Sequence, residues 1–95
     1  CVFTSSGSMH GGQESTLLTM LPPLFHHGMM IMGLANANPA LSNTKSGGTP
    51  YGASHVSGPR HDLGLSQDEK ILCVEQGKGL GKVVQKLQAG ASLIM

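Results

Sequence analysis

The chain opens on a short apolar run, Cys1-Val2-Phe3-Thr4, closed by Ser5-Ser6-Gly7. That is the pattern of a short buried strand ending in a turn. A loop of small residues, 5–12, follows. Over residues 12–27 the apolar positions Leu17, Leu18, Leu21, Leu24 and Phe25 recur at spacings of three and four, which predicts a helix with one apolar face. Glu14 falls in its first turn, where a negative charge suits the helix dipole. Pro22 and Pro23 each remove a backbone N–H and crowd the preceding turn, so a kink or break is expected there. The last turn re-forms before Gly28, a natural residue to follow a helix end. Met29-Met30-Ile31-Met32-Gly33-Leu34 is apolar without alternation and predicts a second strand, covered on both faces as in a parallel sheet. Strand, helix and strand then make one βαβ unit within the first 34 residues.

Residues 35–65 carry no period and are rich in Asn, Ser, Gly, Pro and Thr. A structureless stretch of that length is unusual inside a domain and points to a functional or contact segment. Ser66-Gln67-Asp68-Glu69 is a capping box, with Ser66 at the N-cap and Glu69 three residues on, so a last helix is predicted over 66–88. Cys73, Gly77, Leu80, Val84 and Leu87 form its expected packing stripe. Gly77, Gly79 and Gly81 weaken that helix by up to about 1 kcal/mol each unless a neighbour packs closely on them. Beyond Leu87 the helix is expected to fray.

Composition narrows the class. Charged residues are 12% of the chain against roughly 25% in ordinary soluble domains. With a net charge of +1 there is no clustered charge to bind nucleic acid. The apolar fraction of 39% argues against disorder. Cys1 and Cys73 lie too far apart for a CxxC motif and read as free thiols of a reducing compartment, which predicts a cytoplasmic location. No apolar run approaches the ~20 residues of a transmembrane span, and no signal peptide opens the chain. Starting on a strand rather than on an initiator Met, the chain reads as one cut inside a domain.

Three segments are candidates for chemistry. The 5–12 loop follows a strand and precedes a helix, the position at which open α/β sheets bind ligands. Its small residues let backbone N–H groups approach a ligand beside a helix N-terminus. His26-His27 ends a helix; neighbouring positions there point about 100° apart and seldom share a metal, so no metal site is expected. Gly47-Gly48-Thr49-Pro50-Tyr51-Gly52-Ala53 is a turn fixed by Pro50 and flanking glycines. Its Tyr51, the sole tyrosine, can stack on a flat ligand or anchor a subunit contact. His10, His55 and His61 fall in loops with no ligand spacing. Gly77-Lys78-Gly79-Leu80-Gly81-Lys82 resembles a phosphate loop, but no strand precedes it and no Ser or Thr follows Lys82, so it is set aside.

Taken in order, Phe3-Thr4-Ser5-Ser6-Gly7-Ser8-Met9-His10-Gly11-Gly12-Gln13-Glu14-Ser15-Thr16, His26-His27-Gly28-Met29 and Gly47-Gly48-Thr49-Pro50-Tyr51-Gly52-Ala53-Ser54 resemble the WrbA-type flavodoxin-like NAD(P)H:quinone oxidoreductases. The resemblance runs from residue 1 to about 88. It implies an α/β fold, the C-terminal half of a flavodoxin-like doubly wound parallel sheet, with residues 1–95 as a partial domain. It implies bound FMN, NADH or NADPH as co-substrate, a quinone as substrate and a homotetramer. By the same resemblance Ser5, Ser6, Gly7, Ser8, Met9, His10 and Gly11 run along the flavin, and His26 reaches the FMN site. No catalytic acid or base is implied.

The sequence departs from the family in two ways. The family's phosphate-binding loop, its middle flavin loop and an aromatic near the quinone site belong upstream of Cys1. The Gly-Asp-Gly that often follows its long loop is here Ser57-Gly58-Pro59-Arg60-His61-Asp62. The expectation is therefore a fragment of an FMN-dependent quinone reductase, inactive by itself. The alternative is a non-catalytic flavodoxin-like interaction module that lacks the phosphate loop. An electron-transfer flavodoxin fits less well, since the acidic docking surface is missing at +1.

Overall fold

A computed structural model describes residues 1–35 and 37–94, with side chains to residue 91. It contains β1 (Phe3–Ser6), α1 (Gln13–His26), α2 (Pro39–Asn43), β2 (Ala53–Val56) and α3 (Gln67–Ile94). β1 and β2 pair in parallel, Phe3 opposite Ala53 and Ser6 opposite Val56. α1 packs on β1, and α3 packs on β2 and α2. The mixed helix-and-strand composition and the parallel pairing are those of an α/β chain.

The βαβ unit exists, but it spans residues 3–56 rather than 1–34. Residues 29–34 are not a strand. They run irregularly past the 49–52 turn and are held there by one backbone bond, Leu34 N–H to the Pro50 carbonyl at 2.9 Å. An apolar run without alternation does not by itself distinguish a strand from a packed irregular segment. The partner strand lies within the stretch that looked structureless, which also contains α2. Asn38 caps α2 by accepting from Ala40 N–H at 2.9 Å, and Pro39 occupies its first turn.

α1 runs through Pro22 and Pro23 without interruption. Each proline removes only its own N–H bond, to the carbonyls of residues 18 and 19, and the helix continues to His26. Its end is a Schellman motif: Gly28, at φ 74°, donates to the Phe25 carbonyl, and Met29 donates to the Leu24 carbonyl. The buried side of α1 is carried by Gln13 and Leu17, with Leu21 and Leu24 half-buried, while Leu18 and Phe25 are exposed.

α3 begins on the capping box foreseen from Ser66 and Glu69. Ser66 N–H donates to Glu69 Oε1 at 2.7 Å, and Glu69 N–H donates to Ser66 Oγ at 3.2 Å. The helix then continues to Ile94, past the expected end near 88. Its packing stripe is displaced by one residue from the expected one: Glu69, Leu72 and Gln76 are buried, and Gly79 and Val83 half-buried. Cys73, Leu80, Val84 and Leu87 are exposed. The core is small, with Leu34, Ala40 and Leu72 clustered and Val2, Leu17 and Ala53 buried beside the strands. The radius of gyration of 15.0 Å exceeds the ~12 Å of a compact chain of this length, in keeping with the long reach of α3.

Candidate functional site

The parallel strands end together, and the segments that leave them meet at that end. From β1 the chain turns through residues 7–12 into α1; from β2 it turns through 57–61. Gln13, the first residue of α1, is buried and closes the corner, its Nε2 donating to Ser6 Oγ at 2.8 Å and to the His55 carbonyl at 3.0 Å. Ser6 Oγ in turn donates to the Ser8 carbonyl at 2.7 Å, which also takes Gly11 N–H at 3.1 Å. A Cβ at Gly11 would stand 2.9 Å from Ser6 Cβ, so this loop requires glycine there. Gly12, at φ 79°, caps α1 with no side-chain bond, leaving the first amides of the helix available to an outside acceptor.

Of the residues expected to line a ligand, Ser5 and Ser6 end β1, and Gly7, Ser8, Met9, His10 and Gly11 form the turn into α1. Met9 and His10 open onto a cleft of about 410 Å³ whose far wall is Ser46, Gly48 and Thr49. The fold thus brings together the first and third candidate segments. Thr49 and Gly52 pair across a tight turn that leaves Tyr51 39% exposed. His26 is not brought to this place. It is exposed at the opposite end of α1, about 20 Å along a 14-residue helix.

The strongest electrostatic feature is one that spacing presented only as half of a cap. Glu69 is 2% exposed, and its carboxylate accepts four bonds. Ser66 N–H and His55 Nδ1 meet Oε1 at 2.7 and 3.0 Å, and Gly47 N–H and Val56 N–H meet Oε2 at 2.8 Å each. Burial alone would raise its pKa. The bonds from Ser66, Val56, His55 and Gly47 outweigh that and lower it from 4.5 to about 2, so the group is ionised at neutral pH. His55 spans from Glu69 to the Leu63 carbonyl, 2.9 Å from Nε2. Gln76 plays a parallel part, accepting from Ala53 N–H at 2.7 Å and donating to the Val2 carbonyl at 3.0 Å. These side chains hold both strands and the 47–48 turn, and so fix the walls of the cleft. Sequence reasoning missed Gln13, Gln76, His55 and Ser57; only Glu69 had a local signal.

Cys1 and Cys73 are both free and exposed. Among the described residues no helix is long and apolar enough to cross a membrane.

No family model matches the chain. It is 41% identical over 88 residues to an NAD(P)H dehydrogenase (quinone) of Methanosarcina barkeri, covering 90% of this chain and 42% of that protein. It is 42% identical over 90 residues to one of Rhizobium rhizogenes, covering 93% and 45%. A Chromohalobacter salexigens protein of the same name is 40% identical over 87 residues, covering 90% and 43%. The chain spans less than half the length of the curated relatives it matches.

Proposed function

We propose that this chain is the C-terminal part of a flavodoxin-like, FMN-dependent NAD(P)H:quinone oxidoreductase. The observation that carries the reading is the site at the carboxyl ends of β1 and β2. There a loop of small residues, the uncapped start of α1 and the 46–49 segment enclose one cleft. Similarity over about nine-tenths of the chain to proteins named NAD(P)H dehydrogenase (quinone) supports it.

The residues fit the flat ring of FMN. The loop offers backbone and hydroxyl groups with no bulky side chain before Met9, and glycine at 7 and 11 keeps it close to the strand ends. Ser5, Ser6, Gly7, Ser8, Met9, His10 and Gly11 would hold the ring edge. When bound, FMN supplies the hydride chemistry between nicotinamide and quinone. The chain's own contribution is position: Gln13 locks Ser6 against β2, and Glu69 and Gln76 lock β2 against α3. His26 lies too far along α1 to serve the same loop. Its role requires a site on a neighbouring copy, which accords with a homotetramer.

The test uses the longest natural protein that contains this chain. It should purify with flavin absorbance and oxidise NADH or NADPH only when a quinone such as menadione is present. A flavin-free product with no quinone-dependent oxidation overturns the proposal.

A further inference from the structure

Among the described residues, one non-glycine residue has a left-handed backbone: His61, at φ 55°. Such a conformation costs a residue with a Cβ about 1 kcal/mol or more, and it persists where the surroundings impose it. The surroundings here belong to the site. The His61 N–H donates to the Gly58 carbonyl at 3.0 Å, closing a turn that leaves β2. That turn is bound to the end of β1, since Ser57 gives both its N–H, at 2.8 Å, and its Oγ–H, at 3.1 Å, to the Ser6 carbonyl. The imidazole then lies over the 5–11 loop, with Cε1 3.1 Å from where a Cβ of Gly7 would stand. Gly7 is bare at the point where the ring passes.

Ser57 Oγ lies 3.1 Å from the Ser6 carbonyl and 3.0 Å from His61 Nδ1. With its one hydrogen on the carbonyl, Ser57 Oγ accepts from Nδ1. In that arrangement of the neutral ring Nδ1 carries the proton and Nε2 the lone pair. Nε2 has no partner among the described residues, and the side chain is exposed. We propose that His61 is a binding residue of the site at the 5–11 loop. Its Nε2 accepts a hydrogen bond from an imide N–H or a hydroxyl on the edge of a bound aromatic ring. The inference rests on the proposed function for the location of the ring. The His61 geometry stands independently of it.

The test is NMR on the 95-residue chain with 15N-labelled histidine. Without ligand, the His61 ring nitrogens should report the Nδ1–H tautomer, and an Nε2–H tautomer overturns the proposal. FMN is then added to millimolar concentration. Amide shifts in the 5–11 loop should be accompanied by a shift of His61 Nε2. The His61→Gly variant, which suits the backbone, should keep its thermal midpoint and bind FMN about five- to tenfold more weakly, as expected for one lost hydrogen bond. Loop shifts with an unmoved His61 and unchanged affinity overturn this inference and leave the proposed function standing. No loop shift at all at millimolar FMN also overturns this inference, while the proposed function is decided by the flavin content of the longer protein.

Discussion

Over residues 67–76, α3 turns a carboxylate, a leucine and an amide inward, and each is fully engaged. Glu69 takes four donors, Leu72 is completely buried, and Gln76 bonds both β2 and the segment before β1. From Gly77 to Ala91 the same helix has only three half-buried residues, Gly79, Val83 and Gly90. Among the described residues nothing stands within 4 Å of a Cβ built at Gly77, Gly81 or Gly90, while Leu80, Val84 and Leu87 are exposed. One helix therefore holds a region whose stability is polar and specific, and a glycine-rich region with little side-chain burial. The difference shows how a chain with few buried apolar side chains organises a sheet. Two α3 side chains take backbone N–H groups of β2 that lack a strand partner, and so substitute for one.

The sharpest way to break this contrast is to remove the carboxylate. Glu69→Ala leaves three backbone N–H groups and the His55 ring without their acceptor inside the protein. A loss of about 3–5 kcal/mol is expected, enough to abolish cooperative unfolding in a chain of this size. Glu69→Gln keeps the shape but presents an NH2 to donors, and should recover only part of the loss. Urea unfolding followed by circular dichroism checks both. A loss under 1 kcal/mol for Glu69→Ala would make the polar hub an ornament of the fold.

Acid probes the same hub without mutation. The folded pKa of Glu69, about 2, is depressed below the ordinary 4.5. A depressed carboxylate contributes its full stability above the unfolded value and loses it as pH falls through the folded one. The gap corresponds to roughly 3 kcal/mol at neutral pH, lost progressively between about pH 5 and 2. Stability measured across that window should fall steeply in the native chain and nearly level in Glu69→Gln. Parallel slopes would assign the acid sensitivity to other groups.

What could be read beforehand follows the range of the interactions. The capping box at Ser66 and the Schellman end at Gly28 are local, and both are legible from a few residues. β2 was not, because Ala53-Ser54-His55-Val56 is too short and too polar to carry a period. Its identity as a strand depends on pairing with residues 3–6. The α3 stripe was placed one residue late for a related reason. Glu69 and Gln76 look like solvent positions, so an apolar count locks onto Cys73, Leu80, Val84 and Leu87 and selects the outer face. At the site, the 5–11 loop was legible from small residues between strand and helix. Its second wall, from Ser46 to Thr49, and the His61 turn come from tertiary contacts that leave no spacing signal.

The smallest effects are the finest probe, because the same substitution should change sign between the two regions. At Gly47 a new Cβ would run into the Ser54 carbonyl and stand 2.6 Å from Glu69 Oε2. The neighbours are backbone and a fixed carboxylate, so neither yields cheaply. Gly47→Ala should cost about 2 kcal/mol, in the range of overpacked sites. At Gly77 and Gly81 the helix has open space around the new methyl group, and alanine restricts the unfolded chain. Each Gly→Ala change there should stabilise by up to about 1 kcal/mol, and the pair should add nearly fully, since their methyl groups share no packing neighbour. Thermal midpoints of the single and double variants decide it. A gain at 77 and 81 with a loss at 47 sustains the contrast along α3. A loss at 77 or 81 would mean that the outer face is covered in solution, with the glycines admitting a close neighbour as Gly47 does.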